Sequence, residues 1–350
     1  MFKKIVHFTR LYSPHVGGVE AHVSHLNAEF SKQGLSTVVI TQRHDPKLKL
    51  VENNNQEIIY RLPVFNPNSN DFISQTIYKF KLWQSIWQLR KVWLSADVLH
   101  IHDVFFWLLP FWPLIANKTH ITFHGHENEG SPSWKQIWWH KVAAWLCRGD
   151  VAIGSFHPKW YGIKSQVVSY GAVNLEQKKL TKRKSSQLIF IGRLEAVNGL
   201  LPILNALSIL KQNEKLYHLD VYGEGPLLSQ AKNYVKDHKL DVVFHGANPN
   251  ARNYLALYQT AFVSRYLAIL ETLSSRTKAI AFSHNDLTED YLSLAPFAKW
   301  ISITHNPEEI IRALENQQSL SEKAVEWARK QTWEKLASQY MKLWQNKNRN

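Results

Sequence analysis

The chain has 350 residues, of which 45% are hydrophobic, so it is long enough for two domains with buried cores. Its 42 lysine and arginine residues outnumber 28 aspartate and glutamate residues, and the net charge of +14 predicts an anionic partner: a phosphorylated substrate, an anionic membrane or nucleic acid. The only cysteine, Cys147, excludes an intramolecular disulfide and a cysteine zinc site, and it fits a reducing cytoplasm. The first residues lack a signal-peptide core, and the longest apolar run, residues 104–116, is too short for a transmembrane helix.

The first half of the chain alternates short apolar runs with amphipathic segments. A strand at residues 3–9 leads through a glycine loop into a helix at residues 21–34, which Gly34 ends as a C-cap. Further strands are predicted at residues 36–41, 57–62, 97–102, 119–125 and 151–155. Alternating strands and helices predict an α/β domain with a doubly wound parallel sheet over residues 1–174.

The second half repeats this pattern after a polar, basic segment at residues 175–187, which we interpret as a linker. The domain that follows spans residues 188–325, and residues 326–350 form a separate C-terminal helical segment. The helical pattern itself covers residues 321–346. In the second domain, strands are predicted at residues 188–194, 217–226 (a strand and turn), 241–246, 261–267 and 279–283. Helices are predicted at residues 200–212 and 227–238. The chain therefore contains two similar α/β domains.

Two loops at predicted strand ends carry residues suited to anions. Gly17 and Gly18 allow close backbone approach and a positive φ, and the helix N-terminus behind them favours an anion. The alternative is a plain tight turn, and the spacing does not match a dinucleotide fingerprint. Arg193 directly follows a strand, where ligands bind in such sheets, and its guanidinium suits phosphate oxygens. The alternative is a surface ion pair with Glu195.

Histidines end two neighbouring predicted strands. His124 is followed by His126, Glu127 and Glu129. The previous strand ends in a similar polar group that contains His100, His102 and Asp103. A polar cluster at one sheet edge is therefore expected, in which a histidine acts as hydrogen-bond partner or proton carrier. A metal site is the alternative, but the spacing matches no familiar zinc pattern. Gly223, at another strand end, fits a structural turn better than a ligand contact when taken alone.

Two basic segments rich in tryptophan lie at residues 72–95 and 134–148. A basic amphipathic helix with tryptophan fits an anionic lipid surface, which predicts a cytoplasmic protein peripheral on the inner face of the membrane. The alternative is a helix whose apolar side belongs to the core. The basic residues form no recognisable nucleic-acid motif, so no nucleic-acid partner is expected.

Six segments, in this order, resemble the family 4 glycosyltransferases of the two-Rossmann-domain GT-B architecture: "GGVE", "ITFHG", "YGAVN", "IGRLEAVNG", "YGEGP" and "SRYLAILETL". The resemblance implies two Rossmann-like domains facing a cleft, with a nucleotide-sugar donor on the second domain and the acceptor on the first. It also implies transfer with retention of configuration and no metal or other cofactor, and a C-terminal helix that packs back on the first domain. The basic, tryptophan-rich first half favours a lipid-linked or cell-envelope glycan as acceptor.

The resemblance also assigns roles to individual residues. Arg193 is similar to the arginine that binds the donor diphosphate, His124 to the active-site histidine near the transferred sugar, and Glu271 to the second glutamate of an E-x7-E motif, which holds the ribose. These three are the expected catalytic residues. The expected donor-binding residues are Gly17, Gly18, Arg193, Asn198, Gly223, Arg265, Tyr266, Leu267 and Glu271.

Two positions depart from the family pattern. Val263 stands where the first glutamate of the motif is expected, and Asn198 replaces a lysine that contacts the diphosphate. We expect an active variant whose sugar recognition relies on the backbone of Arg265 to Leu267 and on the first domain. A nucleotide-sugar epimerase of the same fold, or an inactive membrane-associated binding protein, is the alternative.

Overall fold

Two α/β domains, each built on one sheet, make up the chain, as the sequence predicts. A computed structural model describes residues 2–54, 57–67, 71–125, 130–174, 184–316 and 318–346. None of its helices, within these ranges, is long and apolar enough to cross a membrane.

The first sheet has eight strands in the order β3-β4-β2-β1-β5-β6-β7-β8. All neighbours are parallel except β3 and β4, which are antiparallel. The short strands β3 and β8 were not predicted, because three-residue runs carry little periodicity. The strands are β1 (Lys4–Thr9), β2 (Ser36–Gln42), β3 (Val51–Asn53), β4 (Glu57–Leu62), β5 (Val98–His102), β6 (Thr119–His124), β7 (Gly149–Ile153) and β8 (Val167–Ser169).

Helices cover both faces of this sheet. Right-handed crossovers between parallel strands place α1 on one face and α2 and α5 on the other. Asp71 caps α2 by accepting from the Ser74 amide at 2.8 Å, and Ser133 forms a capping box with Gln136 at the start of α5. The helices are α1 (Gly18–Lys32), α2 (Phe72–Gln88), α3 (Arg90–Leu94), α4 (Trp112–Ile115), α5 (Trp134–Leu146) and α6 (His157–Trp160).

The second sheet has six strands, all parallel, in the order β11-β10-β9-β12-β13-β14. Its strands are β9 (Lys184–Ile191), β10 (His218–Tyr222), β11 (Val242–Gly246), β12 (Tyr258–Phe262), β13 (Lys278–Phe282) and β14 (Ser302–Thr304). Its helices are α7 (Leu200–Gln212), α8 (Leu228–Asp237), α9 (Tyr266–Ser274), α10 (Asp286–Ser293) and α11 (Pro307–Glu315).

The C-terminal segment forms two helices, α12 (Glu322–Arg329) and α13 (Trp333–Gln345), where one helix was predicted. The break occurs because Thr332 is extended, caps α13 by accepting from the Lys335 amide at 3.2 Å, and bridges to Val173. α12 packs on α9 of the second domain, whereas α13 packs on α1 of the first. The Tyr340 hydroxyl of α13 is hydrogen-bonded to His22 at 2.9 Å and to Thr122 at 2.8 Å.

Three other predicted boundaries are wrong. Of the linker at residues 175–187, residues 175–183 lie outside the described residues, and Lys184 already begins β9. The strand predicted at 188–194 therefore starts earlier and ends at Ile191. The strand predicted at 261–267 is the end of β12 and the start of α9, because a short apolar run does not distinguish a strand from a buried helix.

Candidate functional site

The carboxyl edges of the two sheets face each other, and the first turn of α9 joins them. Gly154, after β7, has a φ of +110°, and a side chain there would run into the Tyr266 ring. The Tyr266 ring lies parallel to that of Tyr291 with centroids 3.8 Å apart, and Tyr170 packs against its edge at 5.3 Å. The Tyr266 amide donates to the Tyr291 hydroxyl at 3.1 Å. Tyr266, which was predicted to offer its amide to a ligand, is thus buried and packs against residues of both domains.

The glycine loop ends at the first turn of α1. Gly17 is the N-cap residue with an extended φ of −165°, and neither Gly17 nor Gly18 has a positive φ. The two glycines therefore do not use the positive φ that their residue type allows. A Cβ on Gly17 would overlap the carboxylate of Glu20, so a larger residue there would displace this carboxylate from His15, which lies 2.7 Å from it. Gly18 has open space beside it, so a ligand can approach the amides at the start of α1.

His124 ends β6 within a polar cluster, as predicted. Its Nε2 lies 2.8 Å from Nδ1 of His102, and its backbone amide donates to Asp103 at 2.8 Å. The sequence did not predict that His7 of β1 and His22 of α1 complete this cluster: His7 contacts His102 at 3.0 Å, and the His22 ring lies perpendicular to that of His124 at 4.9 Å. Burial, followed by the neighbouring histidines His22 and His157, holds the pKa of His124 well below its usual value. His126, Glu127 and Glu129 lie outside the described residues.

Arg193 lies in the loop after β9 and forms the ion pair with Glu195 that the sequence offered as an alternative. Its Nη2 is 2.9 Å from the Glu195 carboxylate, and 73% of its side chain is exposed. Asn198 is buried, and its amide donates to the carbonyl oxygen of Arg193 at 2.8 Å. Asn198 therefore fixes the Arg193 loop from within, and one of its side-chain N–H groups is already used.

Gly223 supports the same loop. A Cβ on Gly223 would overlap the carbonyl oxygen of Gly192, so this position needs glycine for the close approach of two backbones. The Leu194 amide donates to the Glu224 carbonyl oxygen at 2.9 Å, which ties the two loops together. This geometry agrees with the structural turn that local sequence favoured.

Glu271 is held by Arg252, a partner that the sequence analysis missed. The Glu271 side chain, on α9, is only 16% exposed and accepts from Nη1 of Arg252 at 2.8 Å. Burial raises the pKa of Glu271, and the Arg252 guanidinium opposes that shift. Arg252 lies in a 3-10 segment, Ala251–Leu257, and its charge also lowers the pKa of His25 on α1, after burial as the larger cause. Arg252 of the second domain is thus near enough to α1 for its charge to act on His25.

The remaining predicted residues differ in exposure. Val263 is buried, and its amide donates to Ile280 at 3.0 Å, so it continues the core of the second sheet. Arg265 is the N-cap residue of α9, and its guanidinium lies 5.9 Å from the centre of the Tyr291 ring. Leu267 packs against Gly171 of the first domain.

In the part of the chain that the structure describes, no group of three or more His, Cys, Asp or Glu side chains is arranged to hold a metal ion.

The helices α2 and α5 expose aromatic side chains. On α2 only Leu82 and Ile86 are buried, while Phe72 and Phe80 are largely exposed. α5 exposes four tryptophans, at positions 134, 138, 139 and 145. The 3-10 turns at residues 105–111 lie between the two helices, since Trp87 stacks on Phe111 and Phe105 contacts Trp139. A core role does not account for these exposed rings, and we name residues 72–94 and 134–146 the aromatic face.

Comparisons with known proteins agree with this architecture. The model named "Glycosyltransferase Family 4" matches residues 16–153, and "Glycosyl transferases group 1" matches residues 173–331. An uncharacterized glycosyltransferase of Methanocaldococcus jannaschii is 30% identical over 104 residues, which span 29% of this chain and 26% of that protein's length.

Solved structures show the same fold along the whole chain. A sucrose-phosphate synthase from Thermosynechococcus elongatus superposes with a TM-score of 0.75 at 14% identity, covering 98% of both chains. A TarM variant of S. aureus, solved with fondaparinux, alpha-GlcNAc-glycerol and UDP, gives 0.70 at 11% identity, covering 98% of this chain and 100% of that one. The pneumococcal O-GlcNAc transferase GtfA, solved with UDP and GlcNAc, gives 0.69 at 11% identity, covering 98% of both.

The two matching models cover both domains, and the fold is that of the structural neighbours. Neither an epimerase nor a non-enzymatic binding protein is favoured by these matches. The chain belongs to the family 4 type of glycosyltransferases with the GT-B fold.

Proposed function

We propose that this protein transfers a hexose from a nucleotide-diphosphate sugar to a lipid-linked or cell-envelope glycan, with retention of configuration and without a metal. The observation that carries the acceptor assignment is the aromatic face, which exposes tryptophan and phenylalanine beside basic residues on the domain expected to bind the acceptor. An exposed apolar patch of this kind marks an interaction surface, and its basic residues favour an anionic lipid layer.

The donor diphosphate is assigned to the start of α1 and the Arg193 loop, which follow the carboxyl ends of β1 and β9. In sugar transfer, negative charge builds up on the departing diphosphate, and hydrogen-bond donors aimed at this charge lower the activation barrier. The α1 amides near Gly18 and the Arg193 guanidinium supply such donors from opposite domains. Arg193 must leave Glu195 or share its donors with both groups, which its exposure permits. Because Asn198 carries no charge and faces inward, Arg193 is the main cation in this role.

The ribose is assigned to Glu271. Arg252 occupies Oε1 of this carboxylate and thereby orients it, so Oε2 is the oxygen assigned to the ribose hydroxyls. UDP-sugars are the first donors to test, because TarM and GtfA were both solved with UDP. His124 is assigned to the transferred sugar, and the protein needs no general base of its own if the leaving diphosphate accepts the acceptor proton.

A donor screen tests the enzymatic proposal. UDP-, GDP- and ADP-sugars are added one at a time, and a ligand that binds the folded state raises Tm by mass action. Turnover of the best donor should release free nucleotide together with a glycosylated product, or with free sugar when no acceptor is present. An isomerised donor would show an epimerase instead. A protein that neither binds nor hydrolyses any nucleotide sugar would contradict the proposal.

Sedimentation with anionic liposomes tests the membrane-borne acceptor. Wild type should co-sediment at low salt, and a Trp134→Ser/Trp145→Ser double variant should bind at least about tenfold more weakly, because each indole contributes roughly 1–2 kcal/mol of apolar burial. Leu216→Ser removes an equally exposed apolar side chain from the second domain and serves as the matched control. Absence of liposome binding by wild type at low salt would point to a soluble acceptor.

A further inference from the structure

Three histidines form a continuous hydrogen-bonded chain from the sheet interior to the site. Nδ1 of His7 lies 3.0 Å from Nε2 of His102, and Nδ1 of His102 lies 2.8 Å from Nε2 of His124. The first two rings are fully buried, and the chain begins on β1, crosses β5 and ends on β6. We name these three residues the histidine relay. His124 is its outer member, and Nδ1 is the His124 nitrogen that the relay does not use.

All three rings are neutral near pH 7. Burial lowers the pKa of His7 to about 3, and burial with neighbouring histidines holds the pKa of His102 and His124 well below the usual value. A neutral imidazole has one N–H donor and one bare acceptor nitrogen. Two unbroken contacts therefore require that all three rings donate in the same direction, so the relay has only two complete arrangements.

The unpaired end of the relay distinguishes these arrangements. Nε2 of His7 is buried without a hydrogen-bond partner. If the rings donate outward, this nitrogen is a bare acceptor; if they donate inward, it is an N–H group with no acceptor. Orphaned buried N–H groups are the rarer case in proteins, which favours outward donation. With outward donation, the positive ends of the N–H dipoles also point towards the anionic nucleotide sugar expected at the site. Hydrogen bonds aligned in this way polarise and strengthen one another.

We propose that His102 and His7 are positioning residues that fix His124 in the tautomer with a proton on Nδ1, so that His124 acts as a hydrogen-bond donor to the transferred sugar and not as a base. The role at the sugar rests on the proposed function, whereas the tautomer itself does not. In this arrangement the His7 Nδ1–H donates to His102, the His102 Nδ1–H donates to His124, and the His124 Nδ1–H is directed to the ligand.

Nitrogen-15 NMR of histidine-labelled protein measures the tautomers directly. Protonated and bare ring nitrogens have well-separated shifts, and single variants assign each ring. Near neutral pH, the relay predicts a proton on Nδ1 and a bare Nε2 for each of the three rings, although free neutral histidine in water favours a proton on Nε2. A proton on Nε2 of His124 would overturn the proposal. This measurement needs no substrate, so it decides the relay even if no donor sugar is found.

Kinetics test the positioning role. His102→Leu should lower kcat about 10- to 100-fold, the scale for a misplaced catalytic contact, while the Kd for UDP changes less than about twofold because the relay does not face the nucleotide. His102→Asn keeps an amide donor near the Nδ1 position and should recover at least about tenfold of the lost kcat. His120→Leu is the matched control, since that buried ring of the same sheet makes no hydrogen bond to another side chain.

Equal kcat values for His102→Leu and His102→Asn would overturn the positioning role, and so would an equal loss in His120→Leu. The Tm of each variant shows whether a loss reflects unfolding. If His102→Leu does not fold, the pair His7→Asn and His7→Leu repeats the comparison one ring further in, where the asparagine keeps the donor to His102 and the leucine removes it.

Discussion

Replacing Arg252 with alanine should destabilise the protein through Glu271. Arg252 donates to the Glu271 carboxylate at 2.8 Å, and that side chain is only 16% exposed. Removing one partner of a fully buried ion pair costs about 3–5 kcal/mol, whereas a surface pair is worth at most about 1 kcal/mol. Because 29% of the Arg252 side chain is exposed, water partly replaces it, and we expect a loss of about 2 kcal/mol. If the second domain unfolds as a unit of roughly 150 residues, its Tm should fall by roughly 4–8 °C.

The loss in Arg252→Ala should depend on pH. Burial already raises the pKa of Glu271 above 4.5, and without Arg252 this pKa rises further. The folded variant then binds a proton that the unfolded chain releases, so its stability decreases as pH rises through that interval. The Tm difference between wild type and variant should therefore be larger near pH 7.5 than near pH 5.5. Comparing variant with wild type at each pH removes the contribution of groups common to both.

Scanning calorimetry at both pH values measures these differences, with Arg276→Ala as the matched control. Arg276 pairs with Glu322 on the surface, where water screens the two charges, so its loss should leave Tm nearly unchanged at either pH. Arg252→Ala should also weaken UDP binding but leave pyrophosphate binding unchanged, because only UDP has a ribose. A Tm within about 1 °C of wild type, or a difference independent of pH, would refute the role of Arg252.

Three further predictions concern the site and the core. Arg193→Ala should lower kcat/KM at least about 100-fold, because it removes a donor to the departing diphosphate; steady-state kinetics showing less than about a threefold loss would contradict this. Gly223→Ala should cost about 1–3 kcal/mol in urea unfolding, since the added methyl group overlaps the Gly192 carbonyl; wild-type stability would argue against that overlap. Stability should decrease as pH falls below 6.5, because burial lowers the pKa of His7 and His22 to about 3 and the unfolded chain binds protons that the folded protein does not. Each histidine should lower the free energy of unfolding by up to about 1.4 kcal/mol per pH unit. A free energy of urea unfolding that does not change with pH in this range would refute this prediction.

The sequence predicted the two α/β domains because strand and helix periodicities alternate clearly along most of the chain. It failed where an element depends on distant partners. The break at Thr332 requires the bridge to Val173, a contact between residues far apart in the chain. The switch from β12 to α9 occurs within an uninterrupted apolar run, so only tertiary packing determines where the strand ends.

Site residues were predictable by position but not by contact. The cluster around His124 followed from two strands ending side by side, a local property of parallel sheets. Arg252 was missed because its segment has no strand, helix or glycine pattern, and its contact with Glu271 is made only in the fold. Likewise, helical spacing on α2 gave no information about which side of the helix remains exposed.

The contact between α13 and the first sheet affects the order in which the nascent chain can mature. Tyr340 bonds to His22 and Thr122, and Trp344 donates to His100 at 3.1 Å. On a ribosome, these partners emerge only after the whole second domain has been synthesised. Until then, these polar groups of the first domain lack both the hydrogen bonds and the cover that α13 provides, so the packing on this side of the first sheet is incomplete. The second domain can therefore complete its core first, and the domain that is synthesised first is completed last.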